Sequence, residues 1–235
     1  MMSNARKLYY IAPALAVLVA LILLVKPSVL PVASENAAAP VLIIDAGHGG
    51  ADGGAVASDG TQEADINLDI ALRLQAIAVL CGTETRMTRE SGDIDYPPEA
   101  DTVSRMKVAD QHARLALIRE TPGALLLSIH QNFFSASRPS GPQVFYGAVP
   151  GGDELAAILQ ANLTAQLAPQ NRRMAARMSE DIYLMKNAGC RAVLVECGFL
   201  SNPGELAQLK TEHYRLQLAA VLFGSYLQYT RGVVT

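Results

Sequence analysis

Four side chains of this sequence could together perform metal-assisted hydrolysis. Two histidines and one glutamate make up a His₂Glu set, a common ligand set of catalytic zinc that leaves a fourth position for water. A second glutamate would then be free to accept and donate protons. The candidate ligands are His48, Glu63 and His130, and the candidate acid–base residue is Glu196. These residue types predict hydrolysis of an amide by activated water, without a covalent intermediate.

Each of the four residues also has a purely structural interpretation. His48 follows a glycine-rich turn, where a polar residue is readily tolerated, and His130 could be a hydrogen-bonded core histidine. Glu63 could simply occupy the first turn of a helix, where the macrodipole favours a negative charge. The sequence contains no H-E-x-x-H motif, so spacing alone does not establish a metal site.

Predicted strands would carry these residues to one edge of a sheet. The apolar runs 41–44, 124–129 and 192–195 each predict a buried strand, and each is followed by one of the candidate residues. Glu63 is expected at the start of the helix after the first strand. Because ligands bind at the carboxyl edge of the strands in open α/β sheets, we expect the four side chains to converge there.

The remaining elements complete an α/β pattern. Strands alternate with helices, which predicts a single domain with a twisted, mostly parallel central sheet flanked by helices on both faces. The second helix is predicted to turn Val108, Leu115 and Ile118 toward the core. Further strands are predicted at 83–88, 143–146 and 182–185, and helices at 65–80, 104–120, 153–167 and 213–229.

The amino-terminal part differs in composition from the rest. Residues 1–34 contain no Asp or Glu, and residues 8–25 are uncharged and mostly apolar. Basic residues before this run would keep the amino terminus in the cytoplasm. We therefore predict a membrane-anchor helix at 1–26, a linker at 27–40 and an extracytoplasmic catalytic domain at 41–232. Whether the anchor is cleaved stays open.

Charge and cysteine content narrow the function classes. The chain has 19 Lys and Arg against 22 Asp and Glu, a net charge of −3. An acidic chain without clustered basic residues is a poor nucleic-acid binder. Cys81, Cys190 and Cys197 form no C-x-x-C pair and are odd in number, so we expect small buried side chains rather than a disulfide framework, and whether any of them pairs stays open.

Four motifs follow one another along the chain: Asp45-Ala46-Gly47-His48-Gly49-Gly50, Glu63, Ser128-Ile129-His130-Gln131-Asn132 and Glu196-Cys197-Gly198-Phe199-Leu200-Ser201-Asn202. In this order they resemble one enzyme family, the zinc-dependent N-acetylmuramoyl-L-alanine amidases of the amidase_3 type. Segments 86–91 and 182–187 further resemble the sporulation-specific CwlD-type subgroup, which is membrane-anchored and acts on spore cortex.

The resemblance implies a site and a substrate. His48, Glu63 and His130 would bind one Zn²⁺, and Glu196 would be the catalytic acid–base residue. The substrate would be the amide between muramic acid and L-alanine of the peptidoglycan stem peptide. Asp45 would stabilise the glycine-rich loop by hydrogen bonds or orient a ligand histidine from behind. The sequence assigns no substrate-binding residue.

The resemblance also implies a biological setting. The subgroup acts in spore-cortex maturation, where a separate deacetylase closes the freed muramic acid into a δ-lactam, and in germination. The protein would then lie at the membrane, in the space between the forespore and mother-cell membranes. Three alternatives stay open: a zinc peptidase that cuts within the stem peptide, an inactive wall-binding protein, and an enzyme that needs a regulatory protein partner to hold zinc.

The sequence departs from the family pattern at a few positions. Ala46 stands where proline is common, and Cys197 stands where a small or aliphatic residue is usual. Arg119 replaces an asparagine frequent at the end of the second helix, so any role of that asparagine in shaping the groove is in doubt. None of these changes falls on a candidate ligand.

Overall fold

The computed structural model describes residues 39–136, 139–179 and 181–232. These residues form a single α/β domain with one six-stranded sheet. The strands are β1 (Val41–Ala46), β2 (Thr85–Met87), β3 (Ala124–Asn132), β4 (Gln143–Tyr146), β5 (Ala176–Arg177) and β6 (Arg191–Phe199). The helices are α1 (Glu63–Leu80), α2 (Val103–Arg119), α3 (Gly152–Leu167), α4 (Tyr183–Asn187), α5 (Pro203–Leu209) and α6 (Glu212–Thr230).

The sheet is mixed and has the strand order β2-β1-β3-β6-β4-β5. The strands β2, β1, β3 and β6 run parallel to one another, whereas β4 is antiparallel to β6 and parallel to β5. The alignment of β3 with β6 pairs His130 with Glu196. The predicted mostly parallel sheet is therefore correct for its central part, and β4 makes the whole sheet mixed.

Alternate residues of the central strands pack against different helices. Leu125 and Leu127 of β3 point to the face covered by α1, α3, α5 and α6. Leu126 points to the opposite face, which is covered by α2 and the short α4. Helices therefore flank the sheet on both faces, as the alternation of strands and helices predicts, but the second face is more thinly covered.

Two local predictions are wrong. Residues 182–185 were predicted as a strand, yet Tyr183–Asn187 form α4 and bury Leu184 and Met185 against the thinly covered face. A short apolar run has no clear period, so sequence alone does not separate a strand from a buried helical turn. Val108 was predicted to face the core, but its side chain is 52% exposed, whereas Leu115 and Ile118 are buried.

The predicted anchor at 1–26 and nearly all of the predicted linker at 27–40 lie outside the described residues. Within the part of the chain that the structure describes, we find no helix whose length and apolar character would suit a bilayer crossing.

Candidate active site

The four candidate residues meet at the carboxyl edge of the central strands. His130 and Glu196 are register partners near the ends of β3 and β6. Glu63 is the first residue of α1, and His48 lies in the loop directly after β1. Ligand atoms of His48, Glu63 and His130 all lie within 4.8 Å of one another, so this trio could hold a single metal ion.

The backbone around His48 takes a conformation that directs its ring into the site. His48 has a φ of 60°, and it is the only non-glycine residue with positive φ among the described residues. Such backbone strain in a non-glycine residue persists where its surroundings enforce it, and it is common at functional sites. The glycines Gly47 and Gly54 also make room, because an added Cβ would lie 2.3 Å from Cε1 of His130 and 2.6 Å from Oε2 of Glu63, respectively.

Glu63 is buried, and the hydrogen-bond donors around its carboxylate keep it ionised. Its Oε1 accepts hydrogen bonds from the backbone N–H of Gln131 and the side chain of Asn67, and its Oε2 accepts one from the backbone N–H of Ala55. His130 Nδ1 lies 3.0 Å from Oε1, and His48 Nε2 lies 3.3 Å from Oε2. Burial opposes ionisation, but these interactions outweigh it and hold the pKa of Glu63 below its usual value.

The carboxylate that contacts the His48 ring from behind is that of Asp52, which the sequence did not single out. His48 Nδ1 and Asp52 Oδ2 are 2.9 Å apart, and the other Asp52 oxygen accepts hydrogen bonds from the Gly54 amide and Lys107. Burial lowers the pKa of His48, but Glu63 and Asp52 together raise it to about 9. A metal ion would displace this proton, since only neutral imidazole binds a metal.

Asp45 stabilises the loop rather than touching a ligand ring in this structure. It accepts hydrogen bonds from Thr88, Ser128 and Arg114, at 2.8, 2.5 and 2.7 Å. Burial opposes its ionisation, but Arg114 and Ser128 lower its pKa. Because Asp45 is almost completely buried, its charge depends on the nearby guanidinium.

Two buried arginines hold the carbonyl groups of the His48 loop. Arg114 of α2 donates to the carbonyls of Ala46 and His48 as well as to Asp45. Arg89 donates to the carbonyls of Ala46 and Gly47 from the other side. Arg89 lies in segment 86–91, which the sequence marks only by its resemblance to the subgroup, so only the fold reveals its role.

Glu196 lines a cleft with a volume of about 440 Å³ that also contains His48, Glu63 and His130. Its Oε2 is buried and has no hydrogen-bond partner among the described residues. Burial disfavours the charged form and raises the pKa of Glu196 to about 7, although the nearby histidines oppose this shift. The geometry therefore combines a trio able to hold a cation with a carboxyl group that can exchange protons near neutral pH.

Comparison with known proteins agrees with this arrangement. A family model described as Amidase_3, N-acetylmuramoyl-L-alanine amidase, matches residues 42–224. The chain belongs to this family. The resemblance noted in the sequence motifs is therefore confirmed.

Two known proteins are similar to this amidase family member in sequence or in structure. The germination-specific N-acetylmuramoyl-L-alanine amidase of Bacillus subtilis is 35% identical over 206 residues, which cover 87% of this chain and 83% of that protein. The CwlD amidase of Clostridioides difficile, solved in complex with the GerS lipoprotein, has a TM-score of 0.78 and 33% identity over 81% of this chain and 98% of that chain.

The other histidines and the cysteines of this amidase lie outside the cleft. The ring of the exposed His112 contacts that of Tyr183, 5.6 Å away between centroids, and His213 is exposed on α6. Cys81, Cys190 and Cys197 form no disulfide, and only Cys197 is fully buried, so the expectation of buried side chains is wrong for the exposed Cys81. Sequence reasoning assigned no role to Asp52, Arg89 or Arg114. Asp52 and Arg114 carry no motif of their own, whereas Arg89 lies in the subgroup-like segment 86–91.

Asp52→Asn tests whether the carboxylate behind His48 supports cation binding. The side-chain amide of the variant can donate an N–H to Nδ1 of His48. This contact favours the His48 tautomer in which Nδ1 carries no proton. We expect the affinity for zinc to fall about 10–100-fold, measured by competition with a chromophoric chelator. Asp59→Asn is the matched control, because Asp59 lies in the same loop but pairs with Lys210. Equal zinc affinity in both variants would contradict this role.

The burial of Glu196 predicts a pH-dependent effect on stability. Its pKa is raised from 4.5 to about 7 in the folded protein, so the folded state keeps a proton that the unfolded chain releases between these values. The stabilisation from this group is complete below pH 4.5 and is lost as the pH rises through about 7. Relative to wild type, Glu196→Gln should therefore gain about 2–3 kcal/mol of unfolding free energy between pH 4.5 and 8.

Urea unfolding of the metal-free proteins at the two pH values measures this effect. Glu154→Gln, at an exposed position of α3, should show no such gain. The assignment fails if the difference between Glu196→Gln and wild type is the same at both pH values.

Proposed function

We propose that this protein hydrolyses the amide bond between the lactyl group of N-acetylmuramic acid and L-alanine of the peptidoglycan stem peptide. The observation that carries the proposal is that the cation-binding trio and the unpaired Glu196 carboxyl group share one cleft, in a chain of the N-acetylmuramoyl-L-alanine amidase family. The same residue types, scattered over the surface, could not act on one bond.

We propose that Zn²⁺ is the cofactor, held by His48, Glu63 and His130. The donor set of two imidazoles and one carboxylate suits zinc, and the 4.8 Å spread of the ligand atoms fits one ion. Gly47 and Gly54 support this assignment, because a side chain at either position would collide with the trio. When bound, zinc supplies a Lewis acid that polarises the amide carbonyl and makes water more acidic.

We propose that Glu196 is the catalytic acid–base residue. Its Oε2 has no hydrogen-bond partner in the described part of the chain and can accept the proton of the attacking water. The same carboxyl group can then pass that proton to the nitrogen of L-alanine, so that the amine leaves in neutral form. A pKa of about 7 suits both steps, because near neutral pH the carboxylate can accept a proton and the carboxylic acid can donate it.

Asp45 fits a supporting role in this mechanism. Its contacts with Arg114, Ser128 and Thr88 place it behind the loop rather than at the ligand rings. We propose that it positions His48 indirectly, because Arg114 links the Asp45 carboxylate to the His48 carbonyl.

We propose that the physiological substrate is spore-cortex peptidoglycan, and that the product feeds muramic δ-lactam formation and later germination. The similarity to the germination-specific amidase of B. subtilis supports this role. The C. difficile relative was solved with a lipoprotein, which supports a protein partner for this chain too, of unidentified nature. We further propose that residues 1–26 anchor the protein in the membrane, that 27–40 form a linker, and that the 41–232 domain acts outside the cytoplasm.

One genetic experiment addresses the setting. A spore-forming host that lacks its own amidase of this type receives either the full chain or a chain in which a cleavable secretion signal replaces residues 1–26. We expect the full chain in the membrane fraction and restored muramic δ-lactam in the cortex by mass spectrometry. Recovery of the full chain only in the soluble fraction would refute the anchor, and cortex without δ-lactam would refute the cortex role.

Glu196→Gln tests the reaction itself. The variant should keep its zinc content, because Glu196 is outside the trio, while kcat/KM on purified peptidoglycan falls at least about 100-fold through loss of acid–base catalysis. Wild type and a Glu154→Gln control should release intact stem peptides, identified by mass. Stem-peptide fragments would instead indicate a peptidase, and near-normal activity of Glu196→Gln would refute its role.

A further inference from the structure

The side of α2 that faces the cleft carries four polar residues at helical spacing. Three of them are engaged with the loop that holds His48. Lys107 pairs with Asp52, Arg114 binds the loop carbonyls and Asp45, and Asp110 binds Arg114. The fourth is Gln111, which also lines the cleft.

The side chain of Gln111 ends in a buried acceptor without a partner. Among the described residues, three buried side-chain oxygens lack a hydrogen bond, and they belong to Gln111, Gln131 and Glu196. Gln131 is turned toward α1, where its amide nitrogen donates to Asn67. All three residues line the cleft; Glu196 carries the proposed acid–base carboxyl group, and Gln111 is the one that projects from α2. A buried acceptor without a partner destabilises a protein, which makes a bound ligand the natural donor.

We infer that Gln111 is a substrate-binding residue whose Oε1 accepts the N–H of a secondary amide of the substrate. This inference rests on the proposed function and adds a subsite to it. An uncharged amide oxygen accepts an N–H group and cannot bind an ionised carboxylate, so this contact recognises an N–H donor of the substrate. The apolar residues Phe145, Met178 and Leu194 line the same cleft and limit access of competing water.

Two amides of the substrate share this chemistry. One is the peptide bond that follows L-alanine, and the other is the N-acetyl group of the muramic acid. Both flank the scissile bond, so either could reach a residue of the same cleft. Substrates that lack one amide or the other distinguish them.

The test variant is Gln111→Met, which keeps the length and helix propensity of the side chain but removes its acceptor. On N-acetylmuramoyl tripeptide, we expect KM to rise about three- to tenfold with kcat within about twofold of wild type, because one neutral hydrogen bond of ground-state binding is lost. The thermal midpoint without substrate should equal or exceed that of wild type, since an unpaired buried oxygen is removed. Gln217→Met, at an exposed position of α6, is the matched control.

Activity on two substrate analogues identifies which amide donates to Gln111. If the peptide bond is the donor, the effect of Gln111→Met should disappear on N-acetylmuramoyl-L-alanine, which lacks that bond. If the N-acetyl group is the donor, the effect should disappear on an analogue in which an O-acetyl ester replaces the N-acetyl group, because the ester has no N–H. An effect that persists unchanged on both analogues would refute the inference.

Binding provides a readout that does not require turnover. In the Glu196→Gln background, calorimetric titration with N-acetylmuramoyl tripeptide should give a Kd that is about three- to tenfold higher when Gln111→Met is added. Unchanged KM and Kd, or a lower thermal midpoint with unchanged KM, would show that Gln111 is structural and overturn the inference. Failure of wild type to release stem peptides would instead refute the proposed function, so the two failures are distinguishable.

Discussion

The arrangement of the site depends on keeping one buried carboxylate charged. Glu63 is only 3% exposed, so its charge must be compensated by the protein or by a bound cation. Two backbone amides, one asparagine and two histidine rings surround it. These groups come from the first loop, from α1 and from β3. A displacement of any of these three elements would leave the charge poorly compensated, which ties the fold of the domain to the chemistry of the site.

The loop that carries His48 needs equally strong support, because its backbone is strained. Arg114 and Arg89 donate to successive carbonyl groups of this loop, and Asp45 balances part of their charge. Burial lowers the pKa of Arg89 to about 10. Arg114 is buried too, but the carboxylates next to Arg114 raise the pKa of its guanidinium group. The guanidinium groups thus supply hydrogen bonds to loop carbonyl groups that have no partner of the kind found in helices and strands. The His48 ring can then face Glu63.

The uneven cover of the sheet explains where the cleft lies. Four helices, α1, α3, α5 and α6, pack on one face and bury its apolar residues, whereas α2 and the short α4 leave room over the other face. On that second face, α2 has two functions. Its apolar residues Leu115 and Ile118 complete a small core, and its polar residues support the His48 loop and line the cleft. This division explains why Val108, which belongs to neither set, is exposed.

The sequence by itself predicted the central strands, the main helices and four candidate residues that the fold brings together, because buried strands and amphipathic helices have clear periods and because the family motifs are local. It did not determine the supporting residues. Asp52 and Arg114 acquire their roles from neighbours that are brought near only by the packing of α2 against the first loop. The same holds for α4, whose short apolar run fits either a strand or a helical turn. Only the tertiary structure decides such cases, because hydrogen bonds and burial between distant segments leave no periodic trace in the sequence.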